Sequence, residues 1–404
     1  MSDPDLIVRV AARGDGVTAD GRHAPRTAPG DRLRADGSVE HGTGRQSPPC
    51  HHFPACGGCQ LQHLSDATYA DFVRDRVVGG LAAQSFDVHE LEAVVRPAIV
   101  SAPLSRRRAT LHAERSGKLV LGFSEGGSHA LVDVRACEIL APRLTALIEP
   151  LRRLLPAMMR PRRRAEIVMT MTDQGVDLLI RGVDAAGLAM AEALSGFGAA
   201  HQLARLSIDS GLGAETRYEP VEVTVTLGDV AVPFPVAAFL QATAAGEAAL
   251  VAAVGEAVAS ASDNGGAIAD LFAGLGTFAL TLPGKVYAAE GARDALFALK
   301  SAAARAQRPV FAEHRDLFRR PLMPAELNRF AAIVLDPPRA GAREQIVQLA
   351  DSSVPVIAYV SCNPSSFARD AKALCERGYR IDWVQPVGQF LWSTHVELVA
   401  RFSR

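Results

Sequence analysis

The stretch "AIADLFAGLGTFAL", residues 267–280, decides how the chain is read. An apolar run ends at Asp270, a loop with Gly274 and Gly276 follows, and an apolar segment of helical composition comes next. Glycine, lacking a Cβ, lets a ligand approach the backbone closely, and strand, glycine loop and helix in that order open many ligand-binding α/β units. The three-glycine dinucleotide spacing is incomplete, so the loop alone names no ligand.

Further along, "KVYAAE" (285–290), "FAAIVLD" (330–336) and "VPVIAYVS" (354–361) repeat the pattern. Short apolar runs each followed by a helical segment predict a parallel sheet with crossover helices. Ligands bind beyond the carboxyl ends of such strands, and acids stand there. Glu290 follows Asp270 by twenty residues, where a carboxylate accepts hydrogen bonds from ribose hydroxyls. Asp316, in "EHRDLF", would follow a third strand beside an adenine ring, and Asp336 ends a fourth before Pro337 and Pro338 stiffen the exit. One such acid reads equally well as a helix cap; an ordered set of four points to a binding cleft.

With 404 residues, 48% hydrophobic and 22% charged, the chain has room for two or three domains with proper cores. The formal net charge of −1 does not advertise a nucleic-acid binder, but binding depends on local patches. Two basic clusters exist: Arg106, Arg107 and Arg108, and then Arg152, Arg153, Arg160, Arg162, Arg163 and Arg164. The opening "MSDPDLIVRV" has no export signature. No apolar run reaches the ~18 residues of a membrane span. The nearest, "AALVAAVGEAVASA", is interrupted by Glu256 and reads as an Ala-rich soluble helix. The expectation is a cytoplasmic protein without a membrane association, and a monomer.

Three compositional regimes divide the chain. Residues 1–45 are short β-type runs broken by Gly, Asp and Pro, which suggests a small barrel-like module. Residues 46–235 open with a cysteine cluster and continue through strand-like runs such as "AEIVMTMT" and "GVDLLIRG", an α+β pattern. Residues 236–404 alternate helix and strand. The overall expectation is α/β, with a Rossmann-like domain at the C-terminus.

Four of the six cysteines form a set. Cys50, Cys56 and Cys59 in "CHHFPACGGCQLQHL" are separated by five and two residues, and Cys137 follows after 77 intervening residues. A cytoplasmic chain is not expected to use them as structural disulfides. The spacing is not that of a zinc ribbon, although His51 and His52 leave zinc open.

Five motifs in order, "FLQAT" (239–243), "DLFAGLGTF" (270–278), "LDPPRAG" (335–341), "VSCNP" (360–364) and "HVE" (395–397), resemble the RNA uracil-5-methyltransferase family, with the match running over essentially the whole chain. The resemblance implies a class I S-adenosylmethionine-dependent methyltransferase domain and an RNA substrate. It implies Cys362 as nucleophile and Glu397 as base, with Gln241, Phe272, Gly274, Thr277, Glu290, Asp316 and Asp336 around the cofactor. In the ribosomal-RNA branch the four-cysteine arrangement holds a [4Fe–4S] cluster, so the resemblance favours iron–sulfur at Cys50, Cys56, Cys59 and Cys137 over zinc. "IVRVAARGDGVT" and "APGDRLR" resemble a TRAM domain, an RNA-binding barrel, here shortened, with its final strand missing or degenerate between residues 35 and 45.

The implied chemistry accounts for these residue types. Carbon 5 of uracil is a poor nucleophile until a thiolate adds to carbon 6, and a base must later remove the carbon 5 proton. A stacked uridine hides carbon 6, so the target must be unpaired or flipped out. The expected activity is methylation of a uridine in 23S ribosomal RNA. The alternatives are the T-loop of transfer RNA, or a catalytically silent RNA-binding assembly factor that keeps the fold.

Overall fold

The computed structural model describes residues 3–263 and 265–404. Its C-terminal sheet contains seven strands from the last third of the chain: β1 (Ile268–Leu271), β2 (Val286–Glu290), β3 (Val310–His314), β4 (Ala332–Leu335), β5 (Val356–Ser361), β6 (Arg380–Gly388) and β7 (Glu397–Ser403). Their order across the sheet is β3, β2, β1, β4, β5, β7, β6. The first five are parallel, and β7 runs antiparallel to β5 and β6. Every residue of β1, β4 and β5 is buried, which is why these strands read as unbroken apolar runs: helices cover both faces. The strand order reverses between β1 and β4, so their carboxyl ends border the crevice where such sheets bind ligands.

The segment after β1 differs from expectation. The sequence predicts a helix there, whereas residues 274–281 form consecutive turns. Isolated helical bonds survive, from Leu280 N–H to the Gly276 carbonyl at 2.9 Å and from Leu282 N–H to the Phe278 carbonyl at 3.0 Å. The left-handed φ values of Phe272, Gly274 and Gly276 (+65°, +56° and +97°) keep the loop from winding into a regular helix.

The helix Ala244–Asp263 is, among the described residues, the one with the length and hydropathy of a membrane span. It lies on the sheet instead, burying Leu250, Val254, Ala257 and Val258 against residues of β5 and β7.

Upstream, seven strands form a second sheet in the order Ala214–Tyr218, Leu203–Asp209, Gly175–Arg181, Arg164–Thr172, Arg108–Ser116, Lys118–Ser124, Leu131–Asp133. Residues 66–100 join the other sheet: Ile99–Val100 pairs in parallel with the end of β6, and the helix Asp66–Ala82 packs on the helix Pro364–Cys375. At the N-terminus, Ile7–Val10, Gly16–Thr18 and His23–Ala24 make a three-stranded sheet. Residues 35–45, where the final strand is expected to be missing or degenerate, contain the two-residue strand Val39–Glu40, which pairs with Arg32–Leu33. The fully buried Asp31 fastens this module, its carboxylate accepting from the backbone of Ala28 and Gly42, each at 2.8 Å, and pairing with Arg45.

Candidate active site

Each strand that reaches the crevice delivers one functional group. The Asp270 carboxylate is fully buried below the loop. Its Oδ2 accepts the Ala279 N–H at 2.8 Å, pinning the far end of the turn segment, and its Oδ1 has no hydrogen-bond partner. Burial first, then Asp336 and Glu290, push its pKa up to about 8. Glu290, at the end of β2, accepts the Gly274 N–H at 2.8 Å and the Ala292 N–H at 2.6 Å, so it shapes the glycine loop. Two bonds leave a carboxylate further lone pairs for a ligand hydroxyl.

The two loop glycines serve different ends. A Cβ on Gly276 would stand 2.5 Å from Leu299 Cδ1, so this position is a packing requirement. A Cβ on Gly274 would meet nothing within 4 Å, because that position faces open space. Phe272 sets its ring 5.3 Å from that of Phe318, tilted by 54°. Asp316 caps the turn that carries Phe318, accepting its N–H at 3.0 Å. Phe318, 41% exposed, is a candidate ligand-packing residue that the sequence reading missed; its only signal is its place two residues after Asp316. Thr277 is half-buried, and its carbonyl accepts the Thr281 hydroxyl at 2.8 Å.

On the other side of the switch point stand Asp336, Cys362 and Glu397. Asp336 leaves β4 with its pKa pushed to about 7 by burial and by Glu290. Cys362 is the first residue past β5, immediately before Asn363, which caps the helix Pro364–Cys375 by accepting the Ser365 N–H at 3.1 Å. Asn363 Nδ2 and Ser366 Oγ both donate to the Arg339 carbonyl, at 3.1 Å each, lacing this loop to the one after β4. Burial, Glu397 and Asp336 raise the Cys362 thiol to about 11, with Arg339 acting in the opposite sense. Glu397 opens β7, opposite Val387 of β6, and is 5% exposed. Burial and Asp336 push it up to about 8, and the Gln389 amide pulls the other way. Thus Cys362 and Glu397, 35 residues apart in sequence, face each other across two neighbouring strand ends.

Gln241 is buried. Its side-chain oxygen accepts from Gln389 Nε2 at 2.7 Å and its carbonyl from Arg107 Nε at 3.0 Å. Arg107 also pairs with Glu247, so this arginine serves the cleft wall and not the solvent. Its neighbours face elsewhere. The Arg106 guanidinium lies 5.2 Å from the Phe390 ring and that of Arg108 5.7 Å from the ring of Phe239, which is 66% exposed. In the second basic cluster, Arg152, Arg153, Arg160 and Arg164 pair with Asp133, Glu149, Asp184 and Glu114. Thr243 uses its hydroxyl as a helix cap, accepting the Gly246 N–H at 2.9 Å.

The crevice therefore concentrates acidic groups. Among the described residues, the charged groups that perturb Asp270, Asp336 and Glu397 are all carboxylates. Like charges at low dielectric hold one another protonated, and an entering cation reverses that cost.

Cys50, Cys56, Cys59 and Cys137 line a separate cavity of about 250 Å³, together with His52 and Arg106. All four are free thiols. Burial pushes Cys59 up to about 12, and Cys56 and Cys137 also rise. His52 Nε2 is buried with no hydrogen-bond partner. Among the described residues, no three His, Cys, Asp or Glu side chains converge tightly enough to grip a metal ion.

The strand order and the acid-lined switch point define an α/β fold of the class I methyltransferase type. Over 98% of this chain and 99% of the other, it superposes with a TM-score of 0.73 on a tRNA (uracil-54, C5)-methyltransferase of Pyrococcus abyssi, 22% identical in sequence. The model of the tRNA (Uracil-5-)-methyltransferase family matches residues 234–402. An RNA methyltransferase of Zymomonas mobilis is 50% identical over 402 residues, covering 98% of this chain and 99% of its own. A 23S rRNA (uracil(1939)-C(5))-methyltransferase, RlmD, of Halomonas elongata is 31% identical, covering 87% of this chain and 76% of its own. The chain belongs to the RNA uracil-5-methyltransferase family.

Proposed function

We propose that this protein transfers the methyl group of S-adenosylmethionine to carbon 5 of a flipped-out uridine in RNA, through a covalent bond between Cys362 and carbon 6. The observation that carries the reading is the pairing of Cys362 with Glu397 beside the acid-lined loop. S-adenosylmethionine, when bound, supplies the electrophilic methyl group and a positive charge that complements the carboxylates. Gln241, Phe272, Gly274, Thr277, Glu290, Asp316 and Asp336 would line its site, with Phe318 against the ring of Phe272.

Cys362 acts as its thiolate: burial, Glu397 and Asp336 hold the thiol up in the ligand-free protein, and Arg339 together with a bound cation would favour loss of its proton. The sulfur bonds to carbon 6, and the electron pair of the 5,6 double bond moves into an enolate that makes carbon 5 nucleophilic. After methylation, Glu397 takes the proton from carbon 5, the pair re-forms the double bond, and the carbon–sulfur bond breaks to return the thiolate.

The substrate we favour is 23S ribosomal RNA in the cytoplasm, met by a monomer, with a T-loop uridine of transfer RNA as the alternative. The likeness to the 31%-identical ribosomal enzyme and the four-cysteine cavity support this choice. The residues around the cavity fit a [4Fe–4S] cluster. A cubane takes one thiolate per iron, and four thiols line this one cavity. Residues 1–45 would serve as a TRAM-like RNA-binding module, 46–235, apart from the segment 66–100 that packs on the C-terminal sheet, as the central RNA-binding domain, and 236–404 as the methyltransferase domain. Incubating the enzyme with methyl-labelled S-adenosylmethionine and unmodified 23S or transfer RNA, then digesting to nucleosides, tests this reading. Label is expected in 5-methyluridine from 23S RNA; label in another nucleoside would refute the chemistry, and label from transfer RNA alone would select the alternative.

A further inference from the structure

Gln389 is the first residue past β6 and is 1% exposed. Its Oε1 accepts the backbone N–H of Ala242 at 2.9 Å. That bond fixes which end of the amide is oxygen, because only the oxygen accepts. The NH₂ end is thereby turned toward the cleft and donates to Gln241 Oε1 at 2.7 Å. With its oxygen occupied, Gln241 presents its own NH₂ elsewhere. Glu397 pairs with Val387, two residues before Gln389, and the Gln389 amide is close enough to pull the Glu397 pKa down. The packing is tight: a Cβ on Gly246 would stand 2.6 Å from Gln389 Cβ.

We infer that Gln389 is a positioning residue that holds Gln241, at the cofactor side, and Glu397, at the uridine side, in fixed register through a single amide. This rests on the reading of Gln241 and Glu397 given above. A buried amide with both ends engaged cannot rotate without breaking all its bonds, and a buried polar group left unpaired is costly. The amide therefore sets the orientation of the Gln241 side chain before any ligand arrives, and it keeps a donor beside Glu397 while that carboxylate is charged. The groups around Glu397 are Asp336 from the end of β4 and Cys362 from the end of β5, both acidic, with Arg339 acting on Cys362. Gln389 is the neutral donor among them.

Two variants test the inference. Gln389→Met keeps the volume and removes every bond; Gln389→Glu keeps an acceptor for Ala242 N–H and removes the donors. Both are expected to bind S-adenosylmethionine about tenfold or more weakly by calorimetry. In both, the rise of kcat/KM with pH, which reports deprotonation of the base, should move to higher pH, further in Gln389→Glu, where a carboxylate replaces the donor. Melting temperatures measured alongside separate loss of fold from loss of positioning. Wild-type affinity and an unmoved pH limb in either folded variant overturn the inference. Trapping methylated RNA on Glu397→Gln is the independent control: no adduct there defeats the underlying reading, whereas an adduct there with unaltered Gln389 variants defeats this inference alone.

Discussion

Asp270, Asp336 and Glu397 have pKa values raised to about 8, 7 and 8, against ~4 in an unfolded chain. A carboxyl group whose folded pKa is raised stabilises the fold while it is protonated in both states. That contribution is lost as pH climbs from about 4 through the folded values. The ligand-free protein should accordingly melt lower at pH 9 than at pH 6. S-adenosylmethionine, which carries a sulfonium, should restore more of the loss than S-adenosylhomocysteine, which lacks it; scanning calorimetry at both pH values reads this, and equal restoration by the two ligands would count against charge complementarity. Asp270→Asn should flatten the pH dependence while keeping an acceptor for Ala279 N–H. Asp270 and Asp336 were legible in the sequence because each closes an apolar run, and Glu397, which opens a strand, only through the "HVE" motif. Gln389 was not, because "VGQFLW" carries no periodicity and the groups it bonds, Gln241 and Ala242, lie about 150 residues away.

At the scale of elements, the parallel strands were readable because a strand buried on both faces has to be apolar throughout, as "AIVL" and "VIAYVS" are. The turn segment after β1 was not. Its Ala, Leu and Phe content suits a helix, but the left-handed residues that break it are set by the approach of Leu299 to Gly276 and of Glu290 to Gly274. The pairing of Ile99–Val100 with β6 also left no trace in the sequence, since two residues carry no pattern. The two glycines allow a contrast. Gly276→Ala combines a left-handed φ with a 2.5 Å clash and should cost about 2 kcal/mol or more of stability. Gly274→Ala meets open space and should cost only about 1–2 kcal/mol from backbone strain, yet it should weaken S-adenosylmethionine binding more than its sister. Chemical denaturation and calorimetry on both proteins check the pair, and equal affinities would misplace the ligand.

Across the whole molecule, the run Arg106 to Arg108 joins the parts. Arg106 lies between the cysteine cavity and Phe390, Arg107 braces Gln241, and Arg108 reaches Phe239. The sequence showed three adjacent charges; alternation along an extended backbone turns Arg107 away from Arg106 and Arg108. Anaerobically purified protein should be brown, with absorbance near ~400 nm from thiolate-to-iron charge transfer, and Cys56→Ala should lose colour, iron and sulfide together. Stoichiometric zinc in their place would reject the cluster.

The central claim is that Cys362 and Glu397 act at successive steps of one covalent pathway, and a single gel tests it. Each variant is incubated with substrate RNA and methyl-labelled S-adenosylmethionine, then run under denaturing conditions. Glu397→Gln, able to add and to accept the methyl group but not to eliminate, should give a labelled protein–RNA band. Cys362→Ala and the double variant should give none, although both still bind RNA. A band in Cys362→Ala, or low activity with no band in Glu397→Gln, would contradict the account.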